Sequence, residues 1–239
     1  MNNTARIAWI LGGSRGIGFA CALALAREGY RLALSSRNEA ELSAAVARIV
    51  ATGCNAKAIV CDITSEESVK GAYELIVQEF GVAPHLLINS AGVSPWSTFS
   101  ETTLEEFDSV IATNTRGVFL TSREVLPAMF ERGEGAIVQI LSVASIKAYR
   151  NGAAYVASKF AALGFTNSLR EEARAHGVRV IAVLPGATET ELWGADERAK
   201  HHELMMQPED IALAIVHALQ QPGRALIEEI IIRPIGGDL

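Results

Sequence analysis

The chain predicts an α/β fold: a doubly wound parallel sheet of about seven strands with helices on both faces. Three observations carry that prediction. Short apolar runs alternate with longer helical patterns along the chain. The runs are nearly continuous in hydrophobic residues, as strands covered on both faces should be. The first run feeds a glycine-rich turn that opens a helix.

The elements follow in order. The first strand, residues 6–11, runs straight into the glycine turn, and a helix is expected at 17–28. Strands at 31–35 and 56–60 lead to helices at 39–52 and 66–80. The fourth strand, 86–89, precedes a long helix at 104–130, where Thr103 and Glu106 have the spacing of a capping box. The fifth strand, 136–140, precedes a helix at 153–175. The sixth, 178–184, precedes a helix at 209–219, where Pro208 suits a first helical turn. A seventh strand is expected at 227–233. Repeated strand–helix–strand units imply right-handed crossovers, with a ligand at the carboxyl ends of the strands near the switch in strand order. No proline- or serine-rich linker and no internal repeat interrupts the pattern, so one domain is expected over residues 1–239.

Composition narrows the function. With 239 residues, 49% hydrophobic and 20% charged, the chain can bury a sizeable core. A net charge of −6 argues against wrapping nucleic acid, which needs a basic face. No segment approaches the ~20 apolar residues that span a bilayer, and the apolar stretch at 7–11 is read as a strand rather than a signal peptide. Cys21, Cys54 and Cys61 are too few and wrongly spaced for a disulfide framework or a zinc site. They are expected to be buried small hydrophobes in a reducing, cytoplasmic compartment. His201 and His202 lack partners for a metal site.

The glycine turn reads Leu11-Gly12-Gly13-Ser14-Arg15-Gly16-Ile17-Gly18, so Gly12, Gly16 and Gly18 are spaced G-x-x-x-G-x-G. Gly12 permits the tight turn, Gly16 lets backbone approach a pyrophosphate, and Gly18 lets the helix pack against the strand. The helix N-terminus then offers free N–H groups to phosphates. An NAD site places a carboxylate at the end of the second strand for the ribose 2′-hydroxyl. Here that strand ends Ser35-Ser36-Arg37. With the acid missing, Arg37 and Arg15 are expected to clamp a 2′-phosphate, which favours NADP(H). Asp62, after the third strand, is a candidate acceptor from the adenine amino group. Asn89-Ser90-Ala91-Gly92, after the fourth, gives small residues against which a cofactor could lie. Ordinary turn chemistry is the alternative for either feature, since Asp, Asn and Gly favour turns.

Ser142 follows the fifth strand, Tyr155 lies thirteen residues later, and Lys159 is four further on. Positions i and i+4 share a helix face, so Tyr155 and Lys159 point the same way. An ammonium beside a phenol lowers its pKa from ~10 toward working pH. Such a tyrosine can give a proton to a carbonyl oxygen, or take one from an alcohol. Ser142 would donate to the same oxygen. A Y-x-x-x-K pair alone carries little weight.

Taken together, these motifs resemble the short-chain dehydrogenase/reductase family, in its compact Rossmann-type, single-domain branch. The resemblance covers nearly the whole chain: Gly12 to Gly18, Asn89 to Gly92, Asn114, Ser142, Tyr155-Val156-Ala157-Ser158-Lys159, and Pro185-Gly186 through Thr190. It implies that Tyr155 is the general acid/base and that Lys159 binds the nicotinamide ribose and lowers the tyrosine pKa. It implies Ser142 as the oxyanion-side donor and Asn114 as the holder of a water in a proton relay. Ser14, Ile17, Ala91, Pro185, Gly186, Thr188 and Thr190 would line the cofactor. It also implies a homo-oligomer, a tetramer or a dimer, built partly from helices 104–130 and 153–175. Two positions depart from the family pattern, which usually has Thr where Leu11 stands and Asn where Ser90 stands. Modest effects on loop rigidity are expected there.

The substrate is expected to be a small carbonyl compound or the matching alcohol. Its walls would be Trp96, residues 146–150 and an amphipathic lid around 188–207 that holds Leu192, Trp193, Met205 and Met206. A 3-oxoacyl-[acyl-carrier-protein] reductase is the alternative. The segment Asn151-Gly152-Ala153-Ala154 lacks the Gln and Asn common in those reductases, and the ending 232–237 differs from theirs. A non-catalytic dinucleotide-binding regulator would commonly lose Tyr155 or Lys159, and both are present. An epimerase of the extended branch would need a larger substrate domain than a chain ending at Leu239 leaves room for.

Overall fold

The computed structural model describes residues 6–238; positions 1–5 and 239, the ends of the expected domain, lie outside them. Seven strands form one parallel sheet in the order β3-β2-β1-β4-β5-β6-β7. They are β1 (Ile7–Leu11), β2 (Arg31–Ser36), β3 (Ala56–Val60), β4 (Leu86–Asn89), β5 (Gly135–Ile140), β6 (Val178–Pro185) and β7 (Glu229–Ile232). The order reverses between β1 and β4. Leu11 pairs with both Ser35 and Asn89, so three strands end at one level.

Alternate residues of β1 serve two cores. Ala8 and Ile10 face one, closed by α1 (Gly16–Arg27), α2 (Glu39–Val50) and α8 (Pro208–Leu219). Ile7, Trp9 and Leu11 face the other, closed by α3 (Glu66–Phe80), α5 (Val118–Arg132) and α6 (Ala153–Arg174). The central strands are buried throughout, whereas the edge strands β3 and β7 are half exposed. The expectation of double coverage fails at these two edge strands.

Local departures from the predicted pattern have tertiary causes. The long helix after β4 is three pieces: α4 (Leu104–Ile111), a π-helical turn (Ala112–Gly117) and α5. Thr103 caps α4 by accepting from the Glu106 N–H at 3.1 Å. The Glu106 carboxylate, however, accepts from Ser97 Oγ at 2.7 Å, so only half of the box forms. At α8 the return bond is present, with Gln207 N donating to Asp210 Oδ2 at 2.8 Å ahead of Pro208. Cys21 and Cys61 are buried and Cys54 is half-buried; all three are free thiols. Among the described residues no helix is long and apolar enough to cross a membrane.

Trp9 ties the first strand to the second. Its buried indole Nε1 donates to Ser35 Oγ at 2.9 Å, and Ser35 O accepts from Gly12 N at 2.8 Å and Gly13 N at 3.2 Å. The Ser35→Ala variant is expected to lose about 1–3 kcal/mol, because the indole N–H is left buried without its acceptor. Urea denaturation at equilibrium measures this, and an unchanged midpoint would count against the bond.

Candidate active site

The carboxyl ends of the strands open into a cavity of about 1140 Å³ at the switch between β1 and β4. Its floor is the glycine turn. Gly12 has φ +74°, and a Cβ there would lie 2.7 Å from Ala91 N. A Cβ on Gly18 would lie 2.2 Å from Gly12 O, so α1 can pack this close to β1 only with glycine there. Arg15, the N-cap residue of α1, is extended and gives no side-chain cap, and the first turn holds no acid. Gly16 and Ile17 face the cavity, so the free end of α1 is directed at it.

These residues fit a dinucleotide with an extra phosphate. The uncapped helix end suits a pyrophosphate, and Ser14, Arg15 and Arg37 rim the adenosine side with no carboxylate at the end of β2. Asp62 also faces the cavity, but its Oδ1 accepts from Thr64 N at 2.9 Å and Thr64 Oγ1 at 2.8 Å. Those bonds and Arg37 outweigh partial burial and hold its carboxyl below the usual range. Ala91 and Gly92 line the wall beyond β4. Pro185, Gly186, Thr188 and Thr190 line the wall beyond β6, with Gly186 N donating to Ile232 O at 2.8 Å.

Three predicted site residues do not line the cavity: Gly18, which packs α1 against Gly12, and two asparagines. Asn89 is buried behind it, because its Oδ1 accepts from Thr121 Oγ1 at 2.8 Å and its Nδ2 reaches Ser122 Oγ at 3.5 Å. It secures the end of β4 to α5. Asn114, in the π-helical turn, is also buried. Its Nδ2 donates to Val93 O at 2.8 Å and to Ser158 Oγ at 3.0 Å, and its Oδ1 accepts from Val93 N at 2.9 Å. Ser158 Oγ in turn donates to Tyr155 O at 2.7 Å. The Asn114 side chain therefore links the β4 loop to the helix that carries Tyr155.

Ser142, Tyr155 and Lys159 do meet at the cavity. Ser142 stands just beyond β5, with its Oγ accepting from Ala144 N at 3.0 Å, and its hydroxyl lowers the pKa of the Tyr155 phenol. Lys159 Nζ lies 5.7 Å from the Tyr155 ring centroid and donates to Ile140 O at 3.2 Å. Both side chains are almost wholly buried. Burial raises the tyrosine pKa, partly offset by the Ser142 bond, and pushes Lys159 down to about 8.

The far wall is aromatic. The Trp96 ring lies 6.0 Å from that of Tyr155 and edge-on to Tyr149 at 6.3 Å. Asp238, which the sequence reading missed, ties this wall down. Its Oδ2 accepts from Lys147 Nζ at 2.7 Å and Tyr149 OH at 3.1 Å, and Arg233 is 3.5 Å away. Glu41 at the opposite rim was missed as well; it pairs with Arg15 at 3.7 Å. Neither contact joins residues near enough in sequence to leave a pattern.

The profile of the short chain dehydrogenases matches residues 6–201. The chain is 38% identical to a sepiapterin reductase of Chlorobaculum tepidum, over 96% of each chain. A metagenomic short-chain oxidoreductase solved in complex with NADP superposes with a TM-score of 0.84 at 32% identity, covering 96% of each chain. An alcohol dehydrogenase from Thermococcus sibiricus, complexed with 5-hydroxy-NADP, gives 0.88 at 28% identity and 97% coverage of each chain.

The buried lysine has a consequence for stability. Between about pH 8 and the ordinary lysine pKa of 10.5, the folded Lys159 is neutral while the unfolded one is charged. The unfolded state then binds more protons, so stability climbs with pH through that window and is lowered below it. Without added dinucleotide, Lys159→Met is expected to be more stable than wild type at pH 7, by on the order of 2 kcal/mol. The gain should shrink at pH 9.5. Thermal melts of both proteins at the two pH values test this, and a destabilised variant at pH 7 would refute it.

Proposed function

The chain belongs to the short-chain dehydrogenase family, and on that premise we propose that it is an NADP(H)-dependent oxidoreductase. It reduces a ketone or aldehyde, or oxidises the matching secondary alcohol. The observation that carries the reading is the meeting of Ser142, Tyr155 and Lys159 on the lining of the same cavity that the α1 terminus, Arg15 and Arg37 line. When bound, NADP(H) supplies the hydride donor or acceptor. The pyrophosphate would rest on the N–H groups of the α1 terminus, and the 2′-phosphate between Arg15 and Arg37. That solved relatives carry NADP or a derivative of it supports this choice.

Tyr155 Oη holds the proton that moves. Burial keeps the phenol protonated near neutral pH, the form that donates to a carbonyl oxygen. Ser142 Oγ donates to the same oxygen and stabilises the charge that develops on it. Lys159 Nζ faces the cavity beside Gly92 and would hold the nicotinamide ribose hydroxyls. Asn114 acts from behind by fixing Val93 and Ser158.

Trp96, Tyr149, Leu192 and Trp193 give the substrate end of the cavity an apolar, largely aromatic lining, which suits a carbonyl carried on a flat or apolar body. The stretch 188–207 forms a flap over it. Glu189 N donates to Met206 O at 2.8 Å and Met206 N to Ala187 O at 3.0 Å, which pins the base. The short helix α7 (Ala195–His201) at its tip buries no residue. We read this flap as the substrate lid of a single domain. Exposed Phe119 on α5 and Phe160 on α6 support a homo-oligomer through that face. Three free thiols suit a cytoplasmic setting.

The first test is NADPH oxidation, read by absorbance, across aldehydes, ketones, 3-oxo esters, 3-oxoacyl thioesters and sepiapterin, with NADH alongside. Turnover is expected on a ketone or aldehyde. Tyr155→Phe is expected to lower it by about 10²–10⁴-fold while NADPH binding, read by fluorescence, is retained. Substantial residual turnover would sink the assignment of Tyr155.

The lid predicts a second outcome. Limited proteolysis should cut within 191–206 in the free protein and slow there when NADPH and a substrate are both present. Equal cleavage in both states would argue against closure.

A further inference from the structure

Both arginines at the adenosine rim already face carboxylates. Arg15 Nη1 lies 3.7 Å from Glu41 Oε2, and Arg37 faces Asp62, whose pKa it lowers. The Glu41 carboxylate is held in place rather than free to swing. Its other oxygen, Oε1, accepts from Asn38 Nδ2 at 3.1 Å, and Asn38 Oδ1 accepts from Glu41 N at 3.1 Å, closing a ring at the start of α2. Ser36 Oγ donates to Asn38 O at 3.1 Å and steadies the same turn. Ser36, Arg37, Asn38, Glu41 and Arg15 all line the cavity.

We propose that Glu41 is a built-in competitor for Arg15, a fixed anion that occupies the guanidinium until the ribose 2′-phosphate of a dinucleotide displaces it. The inference rests on the NADP(H) reading above. A 2′-phosphate arriving at this rim meets one arginine already paired, and a carboxylate that cannot move far away once displaced. The anchored acid therefore subtracts from the selectivity that Arg15 and Arg37 provide. It acts only on the 2′-phosphorylated cofactor, because a 2′-hydroxyl carries no charge to repel and does not need Arg15. The Arg15 and Glu41 side chains are 60% and 46% exposed, so solvent screens the pair and its effect is a tuning of affinity.

The experiment is a fluorescence titration of the full chain with NADPH and with NADH, and a competition titration with 2′,5′-ADP, at low and at physiological salt. Glu41→Gln keeps the acceptor for Asn38 and removes the charge. It is expected to lower the Kd for NADPH and for 2′,5′-ADP by about 2–5-fold and to change that for NADH by less than about 2-fold. The gain should be larger at low salt. If wild type prefers NADPH and Glu41→Gln leaves its Kd within 2-fold, the inference falls and the cofactor reading stands. A weaker NADPH affinity in Glu41→Gln also overturns it, since Glu41 would then be holding Arg15 in place for the phosphate. If wild type binds NADH as tightly as NADPH, and Arg37→Asp leaves the ratio unchanged, the cofactor reading itself fails.

Discussion

The reversal of strand order beside β1 is the constraint on which the rest of the site depends. β1 is flanked by β2 on one side and β4 on the other, both parallel to it and both ending level with Leu11. The chain leaves these neighbours for opposite faces of the sheet, so a crevice opens above β1 that no crossover fills. The glycine turn makes the crevice deep. Backbone from the β1 and β4 loops meets at Gly12 and Ala91, and α1 starts against Gly12 itself. Side chains at Gly12 or Gly18 would push these segments apart and move the helix end away from its ligand. Loops after β2, β5 and β6 then need only emerge at the same end of the sheet to contribute arginine, serine, tyrosine and lysine.

A second tension lies in the chemistry. A lysine four residues after a tyrosine invites the reading that the ammonium lowers the phenol pKa. The structure sets burial against that effect. Desolvation raises Tyr155 and lowers Lys159, so each is pushed toward its neutral form. A buried ammonium that donates to the Ile140 carbonyl at 3.2 Å weakens the fold below about pH 8. Burial favours the neutral phenol, and Ser142 draws its pKa part of the way back down.

Much of the fold was legible in the sequence because its signals are local. Apolar runs, helical spacing and the glycine turn located every strand of the sheet and all the long helices to within a few residues. What the pattern could not carry was competition between neighbours distant in sequence. Glu106 has capping-box spacing, yet Ser97 takes its carboxylate. The helix around Asn114 reads as continuous, yet the clamp of Asn114 on Val93 is met within a π-helical turn, a local widening that spacing rules do not register. Asn89 has the chemistry of a cofactor ligand, but Thr121 and Ser122 claim its side chain from α5. Ser142, Tyr155 and Lys159 could be found because their order along the chain is itself a motif.

The aromatic wall of the cavity has no such motif, and its construction explains why. Trp96 comes from the β4 loop, Tyr149 from the β5 loop, and Asp238 from the far end of the described chain. They are joined by ring contacts and by one carboxylate oxygen that gathers Lys147, Tyr149 and Arg233. Among the described residues the other oxygen of Asp238 has no hydrogen-bond partner. Each of these residues would look unremarkable on its own segment, since an aromatic or a charge in a loop carries no periodicity. The glycine turn and the Ser142, Tyr155 and Lys159 group are built on strand ends and one helix, where spacing fixes geometry. The aromatic wall is built from contacts between loops, where only the folded chain brings its parts together. The first therefore leaves a pattern in the sequence, and the second leaves none.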